Sequence, residues 1–85
     1  MSVKERYIVG VDLGGTNIVV GAMPLDGSRE IAMQTRATLA DGGAGSVVER
    51  IAEMIEAVIA QTIAETGAER SDFLGVGIGS PGPLD

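Results

Sequence analysis

Tyr7-Ile-Val-Gly-Val-Asp-Leu-Gly-Gly-Thr-Asn-Ile-Val-Val-Gly-Ala22 decides the fold. Two runs rich in Val and Ile, Tyr7–Leu13 and Ile18–Met23, flank the short break Gly14-Gly15-Thr16-Asn17. Apolar runs of this length, bounded by Gly and Asn, are strand signals rather than helix signals. The stretch therefore reads as a hairpin. Asp12 does not suit a purely structural one, because a carboxylate inside a buried run costs several kcal/mol unless it has a partner or a metal.

The turn supplies a reason for it. Gly14 and Gly15 lack Cβ, so the backbone is free to take positive φ and another molecule can approach it closely. Successive backbone N–H groups in such a turn form a concave anion site. The Thr16 hydroxyl can donate to a phosphate oxygen. Asp12 would then face the cation that travels with phosphates, since Mg²⁺ prefers carboxylate and water oxygens. The plainer alternative is a glycine-rich hairpin whose Asp12 caps its own turn.

Beyond the hairpin, Pro24-Leu-Asp-Gly-Ser28 turns the chain again, with Asp26-Gly27 as the signal. Glu30–Leu39 alternates, with Ile31, Met33 and Thr35 on one face and Ala32, Gln34 and Arg36 on the other. That pattern predicts an edge strand with one solvated side, completing a three-stranded antiparallel meander. Asp41-Gly-Gly-Ala-Gly-Ser46 reads as a flexible connection, with an anion site ahead of a helix as the alternative. It lacks the Gly-Lys-Ser/Thr ending of a P-loop.

A helix is predicted from Val47 to Thr66. Ser46 and Glu49 have the spacing of a capping box, and Gly67 stands where a C′ glycine belongs. Val47, Ile51, Ile55, Ile59 and Ile63 form an apolar line, widened by Val48, Met54, Val58 and Thr62. Glu49, Glu53, Glu56 and Gln61 mark the wet side and read as a solvated face, not a carboxylate cluster. About 20 residues of helix span roughly 30 Å, enough to cross a small sheet.

In Leu74–Ser80 the aliphatic residues Leu74, Val76 and Ile78 alternate with Gly75, Gly77 and Gly79. A bare glycine face marks close approach by another backbone or a ligand. Because a helix precedes it, this strand should pair parallel to Tyr7–Leu13 through a right-handed crossover. Ser80-Pro-Gly-Pro83 would then approach Asp12 at the carboxyl ends of parallel strands, where sheets of this kind bind ligands. Gly77-Ile-Gly-Ser-Pro-Gly82 spells Gly-x-Gly-x-x-Gly, but the dinucleotide fingerprint must open a helix, and Pro81 and Pro83 forbid one there.

Composition narrows the function. Eighty-five residues is one small domain at most. A net charge of −6 disfavours nucleic acid and anionic membranes as partners. An acidic chain that binds a polyanion must rely on backbone N–H groups and a divalent cation, which is what the Asp12 turn offers. Cysteine and histidine are absent, which excludes disulfides, imidazole metal sites and a Ser-His-Asp triad within this chain. Met1–Arg6 lacks an apolar core, so no signal peptide is read there, and Glu49, Arg50, Glu53 and Glu56 disqualify the helix as a membrane span. A cytoplasmic location is expected.

Val11-Asp-Leu-Gly-Gly-Thr-Asn-Ile18 resembles the first phosphate motif of the ROK-family sugar kinases. Gly77-Ile-Gly-Ser-Pro-Gly-Pro-Leu-Asp85 is similar to that family's Gly-x-Gly-x-Pro-Gly-Pro segment. The two motifs together are far more specific than either alone, and the resemblance covers essentially the whole chain. It implies the α/β, actin-like and ribonuclease-H-like ATPase fold, of which residues 1–85 would be the first half of the N-terminal lobe. It also implies a glucokinase-like parent that uses ATP and Mg²⁺ to phosphorylate a sugar hydroxyl. In that scheme Asp12 orients Mg²⁺ through water, Gly14, Gly15, Thr16 and Asn17 hold phosphates, and Ser80, Pro81 and Gly82 shape the floor of the sugar site. The general base, and the zinc motif of many members, would lie beyond Asp85. The 85-residue chain alone is thus expected to be inactive, and its uncovered strand edge should favour a homo-oligomer. Two other readings stay open: a sugar-responsive regulator of the same family, and a non-catalytic self-associating module. The negative charge, the few residues ahead of Tyr7 and the intact Asp-x-Gly-Gly-Thr weigh against the regulator.

Overall fold

The computed structural model describes residues 5–38 and 43–79. Strands β1 (Tyr7–Leu13), β2 (Asn17–Pro24) and β3 (Ala32–Ala37) precede helix α1 (Ala44–Thr66), and β4 (Phe73–Gly79) follows it after a 3-10 turn at Arg70–Asp72. The four strands form one sheet in the order β3-β2-β1-β4. β1 and β2 pair antiparallel, as do β2 and β3, while β1 and β4 run parallel. The meander, the crossover helix and the parallel fourth strand are therefore as the sequence pattern predicts.

One layer of helix covers one face of this sheet. Val9, Val11, Ile18, Val20, Ala22 and Ala32 point toward α1 and meet Met54, Val58 and Ile59. Burying side chains of this kind contributes about 1.5–3 kcal/mol for each large one. The buried hydroxyl of Thr62 donates to the Val58 carbonyl at 2.8 Å, so it adds no unsatisfied group to the core. The packed stripe runs along Met54, Val58 and Thr62, with Ile51, Ile55 and Ile63 half-buried at its flank and Val48 out in solvent. Of the expected line, Ile59 is buried in the contact, while Val47, Ile51, Ile55 and Ile63 stand at its margin.

The reason lies in where the helix sits. α1 lies over β2, β3 and the near side of β1. The α1-side row of β4 stays open to solvent, with Leu74, Val76 and Ile78 exposed by 52%, 46% and 65%. Phe73 is the exception: it packs at the core margin, with its ring 5.5 Å from that of Tyr7.

Two local expectations are corrected. The Ser46–Glu49 capping box does not form, because the helix starts earlier, with Gly43 as its N-cap and no side-chain cap. Gly43 adopts φ 92°, a left-handed value that a residue with Cβ would resist, and this lets the chain enter the helix ahead of Ser46. The third strand occupies Ala32–Ala37 rather than the whole of Glu30–Leu39, and Leu39 lies outside the described residues. The register decides which of its faces is covered. The pairings Ala22↔Ala32 and Ile18↔Arg36 turn the Ala32–Gln34–Arg36 side toward the helix, where Arg36 reaches Glu53 at 3.1 Å. Met33 and Thr35 face solvent.

The helix end matches its signal. Gly67 takes φ 77° and ψ 9°, and its N–H donates to the Ile63 carbonyl at 2.9 Å. Glu49, Glu53, Glu56 and Gln61 are exposed as expected. Among the described residues no helix is long and apolar enough to cross a membrane.

Candidate functional site: the Gly14–Asn17 turn and the open face of the sheet

Alternation along β1 places Asp12. Val9 and Val11 are buried beneath α1, so Ile8, Gly10 and Asp12 belong to the opposite face. Asp12 is exposed there. The desolvation cost expected for a carboxylate in a buried run does not arise, because only one side of that run is buried. Asp12 stands next to the carboxyl end of β1, where the chain enters the Gly14–Asn17 turn.

The strand register brings the second motif to the same place. Asp12 pairs with Val19 on one side and with Gly79, the last described residue of β4, on the other. Ser80, Pro81 and Gly82, the expected sugar-site residues, lie outside the described residues.

Behind Asp12 runs a feature that the sequence pattern did not single out. Gly10 is the register partner of both Gly21 and Gly77, so three glycines stand in one row across β2, β1 and β4. With no side chains there, the open face carries a shallow trough of about 410 Å³ that also includes Asp12, Glu30 and Gly79. Gly75, Gly77 and Gly79 were legible as a bare face, but their alignment with Gly10 and Gly21 depends on pairing between distant segments. A second hollow of similar size lies at the other end of the sheet, beside Glu5, Tyr7, Arg29 and Asp72. Its polar groups serve one another: Arg29 clasps Glu5 at 2.8 and 3.2 Å, and Tyr7 donates to the same carboxylate at 3.1 Å. The chemistry of the paired motifs points to the Asp12 end.

The turn itself is tight. The Gly14 N–H donates to the Asn17 carbonyl at 3.0 Å. Neither Gly14 nor Gly15 takes a left-handed φ, in contrast to the positive φ that two adjacent glycines invite; Gly27, Gly43 and Gly67 do. Gly14 answers to space instead, since a Cβ there would stand 3.2 Å from the Asn17 carbonyl oxygen. At Gly15 a Cβ would meet open space. Gly15, Thr16 and Asn17 are all exposed, available to a ligand on the outside of the turn.

No three His, Cys, Asp or Glu residues gather into a metal cage among the described residues. One exposed carboxylate beside a turn of backbone donors nevertheless fits Mg²⁺, which keeps several waters and is commonly held by one or two carboxylates together with substrate phosphates. It does not fit a cation that needs a full set of protein ligands.

No family model matches the chain. It is 41% identical over 78 residues, 92% of its length, to the glucokinase of Thermotoga maritima. Its fold superposes on the crystal structure of the ROK hexokinase from Thermus thermophilus with a TM-score of 0.69 and 34% identity over 93% of the chain. A reductive activator for a corrinoid, iron-sulfur protein shares the fold with a TM-score of 0.64 but only 16% identity. The chain spans 22% of the glucokinase and 23% of the hexokinase, about a fifth of each. The chain thus has the α/β architecture of one half of an actin-like lobe, and the resemblance to ROK-type, glucokinase-like sugar kinases read from its two motifs holds over nearly all of its residues. The corrinoid activator is a reminder that this fold alone does not fix a chemistry.

Proposed function

We propose that residues 1–85 form part of the N-terminal lobe of an ATP-dependent hexose kinase, and that they supply its metal and phosphate end. The observation that carries this reading is the position of Asp12: exposed, one residue from the end of β1, in register with Gly79 and directly ahead of the Gly14–Asn17 turn. The sequence identity to a glucokinase favours a sugar as the acceptor.

MgATP would bring the γ-phosphoryl group, and the work of this chain is to place it and to balance its charge. Phosphoryl transfer asks for positioning and electrostatic stabilisation more than for covalent chemistry. Asp12 holds the cation through water. The N–H groups of Gly15 and Thr16, the Thr16 hydroxyl and the amide of Asn17 face the phosphate oxygens. Ser80, Pro81 and Gly82, following Gly79, contribute to the floor of the sugar site. The proton of the sugar hydroxyl needs a general base, a role assigned to no residue of this chain. We place the kinase in the cytoplasm, with sugar and ATP as its small-molecule partners and with neither nucleic acid nor membrane. A second copy of the chain is its expected protein partner, through the free edge of β4.

Asp12→Ala in a kinase containing this chain tests the reading. Turnover should fall by about a hundredfold or more, the scale of losing one major electrostatic group at a phosphoryl-transfer site. The far-UV circular dichroism should not change, because the side chain is exposed. Near wild-type turnover would reduce Asp12 to a surface residue and end the proposal.

A further inference from the structure

The Gly14–Asn17 turn is held from behind by a residue that neither motif contains. Thr38, just past the end of β3, is buried, with 4% of its surface exposed. Its hydroxyl donates to the Gly14 carbonyl at 2.9 Å, and its N–H donates to the Thr16 carbonyl at 2.9 Å. Its own carbonyl accepts from the Arg50 guanidinium of α1 at 2.7 Å, a short, charge-assisted bond. The chain of contacts runs from helix to strand end to turn.

Carbonyl direction decides what such a turn can bind. A phosphate meets attraction from N–H groups and repulsion from carbonyl oxygens, and the two alternate along a backbone. Here the carbonyls of Gly14 and Thr16 are engaged by Thr38, and that of Asn17 by the Gly14 N–H. The N–H groups of Gly15 and Thr16, by contrast, donate to no acceptor among the described residues, and both residues are exposed. The N–H and C=O of one planar peptide unit point opposite ways, so drawing the Gly14 carbonyl inward turns the Gly15 N–H outward. Preorganised donors of this kind need no rearrangement when an anion arrives.

We propose that Thr38, backed by Arg50, is the positioning residue that fixes the carbonyls of Gly14 and Thr16 away from the ligand side and so makes the turn a phosphate acceptor. The inference rests on the phosphate reading given above, but the clamp can be tested without it. Thr38→Val keeps the shape and removes the hydroxyl, leaving the Gly14 carbonyl without its partner. Thr38→Ser keeps the hydroxyl and loses only a methyl group. Arg50→Met removes the outer bond and retains most of the aliphatic stem.

Two measurements on the 85-residue chain, both by NMR, separate the possibilities. The first is amide hydrogen exchange at Gly14, whose N–H is bonded across the turn. Thr38→Val should speed it about tenfold, the effect of losing one buried hydrogen bond, with Arg50→Met in the same direction and Thr38→Ser near wild type. Unchanged exchange in Thr38→Val overturns the clamp whatever the turn binds. The second is titration with magnesium pyrophosphate and, separately, MgATP, followed at the Gly15 and Thr16 amides. Wild type and Thr38→Ser should respond alike, and Thr38→Val should bind about tenfold more weakly. Equal binding by Thr38→Val overturns the positioning role even if exchange has changed. A wild-type turn that responds to neither probe, with the exchange result intact, defeats the phosphate reading and the acceptor role together, leaving only a structural clamp. A response to MgATP and not to pyrophosphate would place the affinity in the nucleoside and would likewise overturn the acceptor role.

Discussion

Asp12 of β1 and Gly79 of β4 are direct neighbours in the sheet, although 66 residues separate them along the chain (79 − 12 − 1). A parallel pair cannot be closed by a tight turn, so this contact depends on the whole crossover through α1. The helix is therefore a tether as well as a cover. It brings the strand that leads into Ser80 beside the carboxylate that precedes the turn.

The glycines of this region should divide sharply by their surroundings. A Cβ on Gly10 would stand 3.8 Å from the Met23 side chain, an ordinary contact, so Gly10→Ala should change stability by less than about 0.5 kcal/mol. Gly14→Ala pushes a Cβ to 3.2 Å from a backbone oxygen that is already bonded, and Gly67→Ala forces φ 77° on a residue with Cβ. Each of these two should cost about 1 kcal/mol or more. Urea denaturation midpoints of the three variants would check the order. A Gly10→Ala loss as large as that of Gly67→Ala would contradict it.

What was legible beforehand follows the same division between local and distant information. Hairpin, helix and fourth strand were readable because Val/Ile runs, helical spacing and the Gly67 stop are all written within a few residues of where they act. The start of α1 was misread because Ser46 and Glu49 have capping spacing, whereas Gly43 wins through a φ that no pattern displays. Asp12 was singled out but given a burial it does not have, since strand alternation does not say which face a helix will cover. Thr38 and Arg50 were missed altogether. Their roles arise from tertiary contacts that bring them to Gly14 and to each other across 24 and 12 positions, and nothing near either residue marks them.

Acid should loosen the chain through two exposed ion pairs. Arg70 clasps Glu56 at 2.6 and 2.8 Å and holds its carboxyl below the ordinary value of 4.5. Arg29 does the same to Glu5. In the unfolded chain both carboxylates take up protons at higher pH than in the folded one. The contribution of each pair is therefore full above about 4.5 and is lost as pH falls through the lowered folded value. The effect should be small because both pairs are solvated. Glu56→Gln combined with Glu5→Gln should flatten part of the decline in stability between about pH 5 and about pH 2. Parallel pH profiles for wild type and the double variant would show that the acid response comes from elsewhere.

The 85-residue chain should not phosphorylate glucose, with or without Mg²⁺. Asp12 and the turn can place a phosphate, but none of the roles assigned to described residues includes taking a proton from the sugar hydroxyl. A coupled assay on protein refolded from denaturant, to exclude a contaminating kinase, is the appropriate measurement. Sustained ATP-dependent turnover would mean that this chain contains a base not recognised here.

Association is the remaining expectation, and it rests on β4. This strand is at the end of the sheet order, so its outer N–H and C=O groups have no neighbouring strand among the described residues. From Phe73 to Gly79 it carries no Lys or Arg, the residues that usually discourage edge pairing. Its aliphatic row is also bare, with Leu74, Val76 and Ile78 between 46% and 65% exposed on the side that α1 leaves uncovered. A second copy pairing antiparallel about Val76 would set Leu74 against Ile78 of its partner and continue the sheet. Main-chain bonds and apolar burial would then favour the same arrangement. Dimers should therefore form, and Val76→Lys, which puts like charges face to face at the centre of the pair, should weaken them by about tenfold or more while leaving the core beneath α1 intact. Sedimentation equilibrium over a range of concentrations reads both effects. A chain that stays monomeric at high concentration, or a Val76→Lys variant that dimerises as well as wild type, would rule out pairing along this edge.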